Sequence, residues 1–144
     1  GHKDVAEILL ARGPAVDAAT NLGATALYVA AQKGHKDVAE ILLARGPAVD
    51  AATSDGATAL YVAAHEGHKD VAEILLARGP AVDAATNLGA TPLFIAAQEG
   101  HKDVAEILLA RGAAVDAASS DGATPLFIAA QEGQKEGAEL LLAR

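Results

Sequence analysis

A 33-residue period runs through the whole chain. The string Gly-His-Lys-Asp-Val-Ala-Glu-Ile-Leu-Leu-Ala-Arg-Gly starts at Gly1, Gly34, Gly67 and Gly100, and a degraded copy starts at Gly133. Residues 20–52 and 53–85 differ at only four positions: Asn21/Ser54, Leu22/Asp55, Gln32/His65 and Lys33/Glu66. Residues 86–118 differ from 20–52 at five. Repetition this close excludes a mixed globular core. It requires one supersecondary unit, copied and stacked so that each copy packs on its neighbours.

The unit spanning 20–52 can be read locally. Thr20-Asn21-Leu22-Gly23 is turn chemistry, with a glycine free to take positive φ. A short helix is predicted from Thr25 to Gln32, with Thr25 as N-cap and Leu27, Ala30 and Ala31 on one face. Gly34 stops it. A second helix is predicted from His35 or Lys36 to Arg45, with an apolar stripe of Val38, Ile41, Leu42 and Ala39. Arg45 falls in its last turn, where the helix dipole favours a cation. Gly46 and Pro47 end it, and Ala48-Val49-Asp50-Ala51-Ala52 runs extended into the next turn.

Both helices are shorter than about twelve residues and so are marginal alone in water. They must bury their stripes against neighbouring copies. Composition fits this demand. Alanine makes up 37 of 144 residues, while only Tyr28, Tyr61, Phe94 and Phe127 are aromatic. Small residues on the first helix allow close approach of layers, and Leu and Ile on the second fill the gaps, each contributing roughly 1.5–3 kcal/mol when buried. The expected fold is an all-α solenoid of stacked helix pairs forming a single domain.

Thr91-Pro92-Leu93-Phe94-Ile95-Ala96-Ala97 and Thr124-Pro125-Leu126-Phe127-Ile128-Ala129-Ala130 resemble the Thr-Pro-Leu-His-x-Ala signature of ankyrin repeats. The preceding Gly-x-Thr, the following Gly-His, the Leu-Leu-x-x-Gly and the period agree with that resemblance, which covers the whole chain. It implies stacked helix–turn–helix pairs with short β-hairpin-like loops projecting from one edge and a concave surface used to grip partners, in one domain over 1–144 divided into a partial unit 1–19, units 20–52, 53–85 and 86–118, and a partial unit 119–144. Departures stand beside it. The signature His is Tyr28, Tyr61, Phe94 or Phe127, so packing by a ring must replace the hydrogen bonds that this His makes in the family. Ala26 and Ala59 stand where Pro is expected, removing a preset helix start. The last copy reads Gln134-Lys135-Glu136-Gly137, and a glycine inside a helix costs roughly 1 kcal/mol against Ala, which leaves that copy with fewer packing duties or a fraying end.

Candidate chemistry is sparse. The net charge of −8 argues against general binding to nucleic acid or anionic membranes. With no Cys, disulfides, thiolate chemistry and cysteine-ligated zinc are out. No apolar run approaches the length of a bilayer span. No P-loop, Gly-x-Gly-x-x-Gly or nucleophile elbow is present, so no cofactor and no catalytic set is expected. His2, His35, His68 and His101 recur in register, and the expected role is support of the turn before each second helix. His65 replaces Gln32, Gln98 and Gln131. It offers a metal or pH-sensitive site beside Glu66, though a partner-contacting or neutral substitution is the favoured reading. The columns Asp17, Asp50, Asp83, Asp116 and Glu7, Glu40, Glu73, Glu106, Glu139 read as a solvated acidic face, with weak helix pairs such as Lys36–Glu40.

Internal variation marks the positions the scaffold does not dictate. These are the turn pairs Asn21-Leu22, Ser54-Asp55, Asn87-Leu88 and Ser120-Asp121, and the first-helix ends Gln32-Lys33, His65-Glu66, Gln98-Glu99 and Gln131-Glu132. The resemblance places both sets on the gripping surface. Leu22 and Leu88 are apolar at turn tips and are candidate anchors, with isolated exposed leucines of no consequence as the alternative. The expected function is a non-catalytic scaffold that binds another protein of basic or mixed charge. The alternative is a structural repeat protein without an evolved partner, arising by blockwise duplication or deliberate assembly from modules. Val5, Ile8 and Leu9 lack a preceding first helix, so fraying ends, end-to-end self-association or excision from a longer array are expected. The family resemblance and the lack of a signal peptide point to an intracellular, cytoplasmic setting.

Overall fold

The structure is a computed structural model that describes residues 2–12 and 15–144. Gly1, Gly13 and Pro14 lie outside the described residues, as does the side chain of His2, the first member of the histidine column. The described residues form nine helices: α1 (His2–Ala11), α2 (Ala26–Lys33), α3 (Lys36–Leu43), α4 (Ala59–Glu66), α5 (Lys69–Leu76), α6 (Pro92–Glu99), α7 (Lys102–Ala110), α8 (Pro125–Gln131) and α9 (Lys135–Leu142). Among them there is no strand, only one isolated antiparallel bridge between Ala19 and Thr25.

Local chemistry explains the helix starts and stops. Thr25, Thr58, Thr91 and Thr124 are N-caps, each accepting at 3.1 Å from the backbone N–H three residues on. Gly34, Gly67 and Gly100 end the first helices in the left-handed region at φ +73 to +75°. The second helices end earlier than the sequence suggests, at Leu43 and Leu76. Arg45 and Arg78 therefore lie beyond their own helices, and their real partners are in the neighbouring repeat.

The missing prolines do not shift the starts. Thr58 at φ −93°, ψ 170° matches Thr91 at φ −84°, ψ 166°, although Ala59 follows one and Pro92 the other. This extended geometry is what a residue before proline adopts, and the first helical N–H needs no intrahelical acceptor. Ala59→Pro is expected to stabilise the fold by about 0.4–1 kcal/mol, by restricting the unfolded chain. Equilibrium urea unfolding measures it, and a loss of stability would show that the two starts are not equivalent.

Two layers result. The first helices α2, α4, α6 and α8 pack in sequence on one another, and the second helices α1, α3, α5, α7 and α9 pack in a parallel row; each first helix also packs on the second helix of its own repeat. Leu60, Leu75, Leu93, Leu108, Val71 and Val104 are fully buried between the layers, with Ala31, Ala63, Ala64 and Ala96 where first helices meet. Of the predicted stripe, Ala39 and Leu42 are buried and Val38 and Ile41 half-buried, and Leu43 and Leu76 are added to it. Gly137 does not break α9; it is buried inside a complete helix.

Four kinds of polar tie join successive repeats, all four of them between 20–52 and 53–85 and between 53–85 and 86–118, and two of the four correct the sequence reading. The Asp column is not merely a solvated face. Asp17, Asp50 and Asp83 Oδ1 accept at 3.0 Å from the backbone N–H of Ala48, Ala81 and Ala114 in the following repeat. The arginine guanidinium does not serve its own helix. Nη1 of Arg45, Arg78 and Arg111 donates to Leu10, Leu43 and Leu76 O in the preceding repeat, at 3.5, 3.1 and 3.0 Å. A cation thus sits at each neighbouring helix C-terminus, where the dipole favours it. His68 and His101 use Nε2 to bond the carbonyls of Gln32 and His65 at 3.0 Å. A carbonyl only accepts, so Nε2 carries the proton. Gln134 makes the same bond to Gln98 O at 3.0 Å, so the degraded last copy keeps this tie. The turn tips supply the fourth: Ser54, Asn87 and Ser120 N–H donate at 2.9 Å to Leu22, Asp55 and Leu88 O. Of the expected Lys–Glu helix pairs, Lys102–Glu106 at 3.8 Å and Lys135–Glu139 at 4.0 Å are formed.

Candidate partner-binding face

The turn tips project beside the first helices, and clefts open between them. The first is about 640 Å³ and is lined by Tyr28, Gln32, Asp55, Ala57, Tyr61, Val62, His65, Glu66, Thr86, Asn87 and Leu88. The second is about 530 Å³ and is lined by Tyr61, Thr86, Leu88, Ala90, Phe94, Ile95, Gln98, Ser119, Ser120 and Asp121. Tyr61, Thr86 and Leu88 belong to both, so they form the ridge between them.

Of the variable positions, Gln32, Asp55, His65, Glu66, Asn87 and Leu88 converge on the first cleft, and Leu88, Gln98, Ser120 and Asp121 on the second. Asn21, Leu22, Lys33, Ser54, Glu99, Gln131 and Glu132 line neither. Leu22 and Leu88 are 71% and 73% exposed, so both are open tips, but only Leu88 stands over the clefts. Glu99 instead faces His65: His65 Nδ1 lies 3.1 Å from Glu66 Oε1 and Nε2 lies 3.8 Å from Glu99 Oε1. This places an imidazole between two carboxylates, and among the described residues no group of three or more His, Asp or Glu is arranged to hold a metal ion. Asn87 is less free than its variability suggests, since its side-chain amide donates to Ser54 O at 2.9 Å.

Packing is only part of what the aromatic rings do. Tyr28, Tyr61 and Phe94 also line the clefts, which the sequence reading missed. Their position three residues after the N-cap, beside the turn, was the available signal. Bracing also depends on a following repeat: Phe94 is 8% exposed but Phe127 is 57% exposed. Electrostatics marks the first cleft as acidic. Burial, then the Asp55 and Glu66 carboxylates, push the Tyr28 hydroxyl above its ordinary pKa. Burial, then Tyr28 and Glu99, do the same for Tyr61. Both phenols therefore stay neutral in the physiological range. In the second cleft, hydrogen bonds from the Ser119 hydroxyl and the Ala123 N–H hold the Asp121 carboxyl below the usual range.

A family model described as ankyrin repeats (3 copies) matches residues 1–86 and 79–144. The chain belongs to the ankyrin-repeat family. Ankyrin repeats generally mediate protein–protein interaction. No curated protein matches the chain significantly. Among the described residues, no helix of this ankyrin stack is long and apolar enough to cross a membrane.

Proposed function

We propose that this ankyrin-repeat chain is a non-catalytic scaffold, acting as one stack over 1–144. It grips a protein of basic or mixed charge through its concave face in an intracellular setting. The observation that carries the reading is the convergence of six variable residues on one cleft, with an exposed Leu88 on its rim. A solvent-exposed apolar tip flanked by carboxylates suits an anchor plus a charged rim. Such binding weakens with salt. The test is selection of binders from a displayed random peptide library against the whole chain. We expect the enriched binders to lose about 10-fold or more in affinity to a Leu88→Ser, Glu66→Lys variant whose unfolding midpoint is unchanged. Undiminished binding by that variant would remove the concave-face assignment.

A second reading has its own observation. Val5, Ile8 and Leu9 on α1 are 56%, 63% and 58% exposed, and Phe127 and Leu142 at the other end are 57% and 70% exposed. These faces support a structural repeat protein that associates end to end. Light scattering over a concentration series decides it, since a constant monomer mass rules the association out.

A further inference from the structure

We propose that the first cleft is an arginine pocket and the second an apolar pocket, so that the partner presents an arginine and an aliphatic side chain three residues apart in a polyproline II segment. This rests on the concave-face reading and gives its occupant a chemistry.

The two clefts share a wall but differ in what they offer. The first has two phenol rings, Tyr28 and Tyr61, with Asp55 and Glu66 at its edge. The Asp55 carboxylate accepts no side-chain or backbone hydrogen bond from any described residue, and Glu66 is engaged only by His65, at 3.1 Å. Both carboxylates line the same cleft as the Tyr28 ring, and after burial they raise the pKa of its hydroxyl. A guanidinium is planar, stacks on an aromatic face and donates through a fork that matches carboxylates. An ammonium would satisfy the charge and sit over a ring, but it neither stacks as a plane nor matches the fork. The aliphatic stem of the arginine would lie on Leu88.

The second cleft lacks that provision. Its floor is Phe94, Ile95 and Ala90, and its single carboxylate, Asp121, is already engaged by Ser119. Asp55 and Asp121 occupy the same repeat position, but Thr53 precedes one where Ser119 precedes the other. The pair is thus spent on the turn in one repeat and open in the other. An aliphatic side chain fits the apolar floor.

Spacing follows from the stack. Packed helices lie about 8–10 Å apart, and polyproline II backbone advances about 3.1 Å per residue and returns its side chains to the same side every third residue. Side chains entering adjacent clefts across the Tyr61–Leu88 ridge are therefore about three residues apart.

The experiment uses the whole chain and fluorescein-labelled dodecapeptides in a Gly/Ser background, with Arg-x-x-Leu or Leu-x-x-Arg at the centre, read by fluorescence polarisation. Controls carry Ala or Lys for Arg and Ser for Leu. We expect one of the two orders to bind, its Arg→Ala form to bind at least 10-fold more weakly, and the Lys form to fall between them. Asp55→Asn with Glu66→Gln should abolish the preference for Arg over Ala, while Asp121→Asn should leave it intact. The pocket assignment is overturned if Arg and Ala peptides bind alike, if the Asp55/Glu66 variant keeps the preference, if Asp121→Asn removes it, or if neither order binds at millimolar concentration. The two levels of the claim separate cleanly. Library-selected binders that depend on Leu88 but not on Arg leave the concave face standing and remove the arginine pocket. Binders indifferent to Leu88 remove both.

Discussion

Leu76→Ala is expected to lower the unfolding free energy by about 3 kcal/mol, and Leu142→Ala by no more than about 0.5 kcal/mol. Both leucines are the same letter at the same repeat position, yet Leu76 is 4% exposed and Leu142 is 70% exposed. Truncation at Leu76 removes transfer energy and leaves a cavity, because the layers on both sides of α5 are tied in place by Arg78, Arg111 and His68. At Leu142 there is no packed layer to leave a gap in. In thermal unfolding the Leu76 change should appear as a drop on the order of 10 °C. Equal losses from the two substitutions would mean that α9 is covered in solution, which would favour end-to-end association over an open stack.

That contrast also marks what the sequence could convey. The caps at Thr25, Thr58, Thr91 and Thr124, the stops at Gly34, Gly67 and Gly100, and the apolar stripe of the second helix are local signals, read within a few residues. The period then placed the helices side by side. Burial was not readable from the letters, because it depends on which copies have neighbours on both sides: Phe94 and Phe127 are one letter with two environments. The inter-repeat ties were hidden for another reason. Asp50 with Ala81, Arg78 with Leu43 and His68 with Gln32 join residues 31 to 36 apart. In each, one partner is a backbone atom, which leaves no trace in residue identity. The same columns could equally be solvated faces until the stack fixes what stands opposite them. The candidate face was half legible. Internal variation found Asp55, His65, Glu66 and Leu88. It could not find Tyr28, Tyr61 or Phe94, whose near-constancy reads as scaffold, because these rings serve packing on one side and the clefts on the other.

Gly67→Ala should cost about 2–4 kcal/mol, and most of the excess over an ordinary turn glycine should vanish when His101 is also removed. Gly67 has φ +75°, and a Cβ there would lie 2.6 Å from Cε1 and Nδ1 of the His101 ring. Two terms add. The left-handed conformation costs a non-glycine residue roughly 1–2 kcal/mol. The ring must also move, which breaks the 3.0 Å bond from His101 Nε2 to His65 O and forfeits about 1 kcal/mol. Gly79 separates the terms: its φ is +67°, but a Cβ there meets nothing within 4 Å, so Gly79→Ala should cost only the conformational part. In the double-mutant cycle, Gly67→Ala in a His101→Ala background should fall to the Gly79→Ala value, giving a coupling of about 1–2 kcal/mol. Urea unfolding of the four chains measures it. A Gly67→Ala cost equal to that at Gly79, or a coupling near zero, would mean that the histidine column packs loosely on the glycines and that the inter-repeat bond is not what keeps His68 and His101 in register.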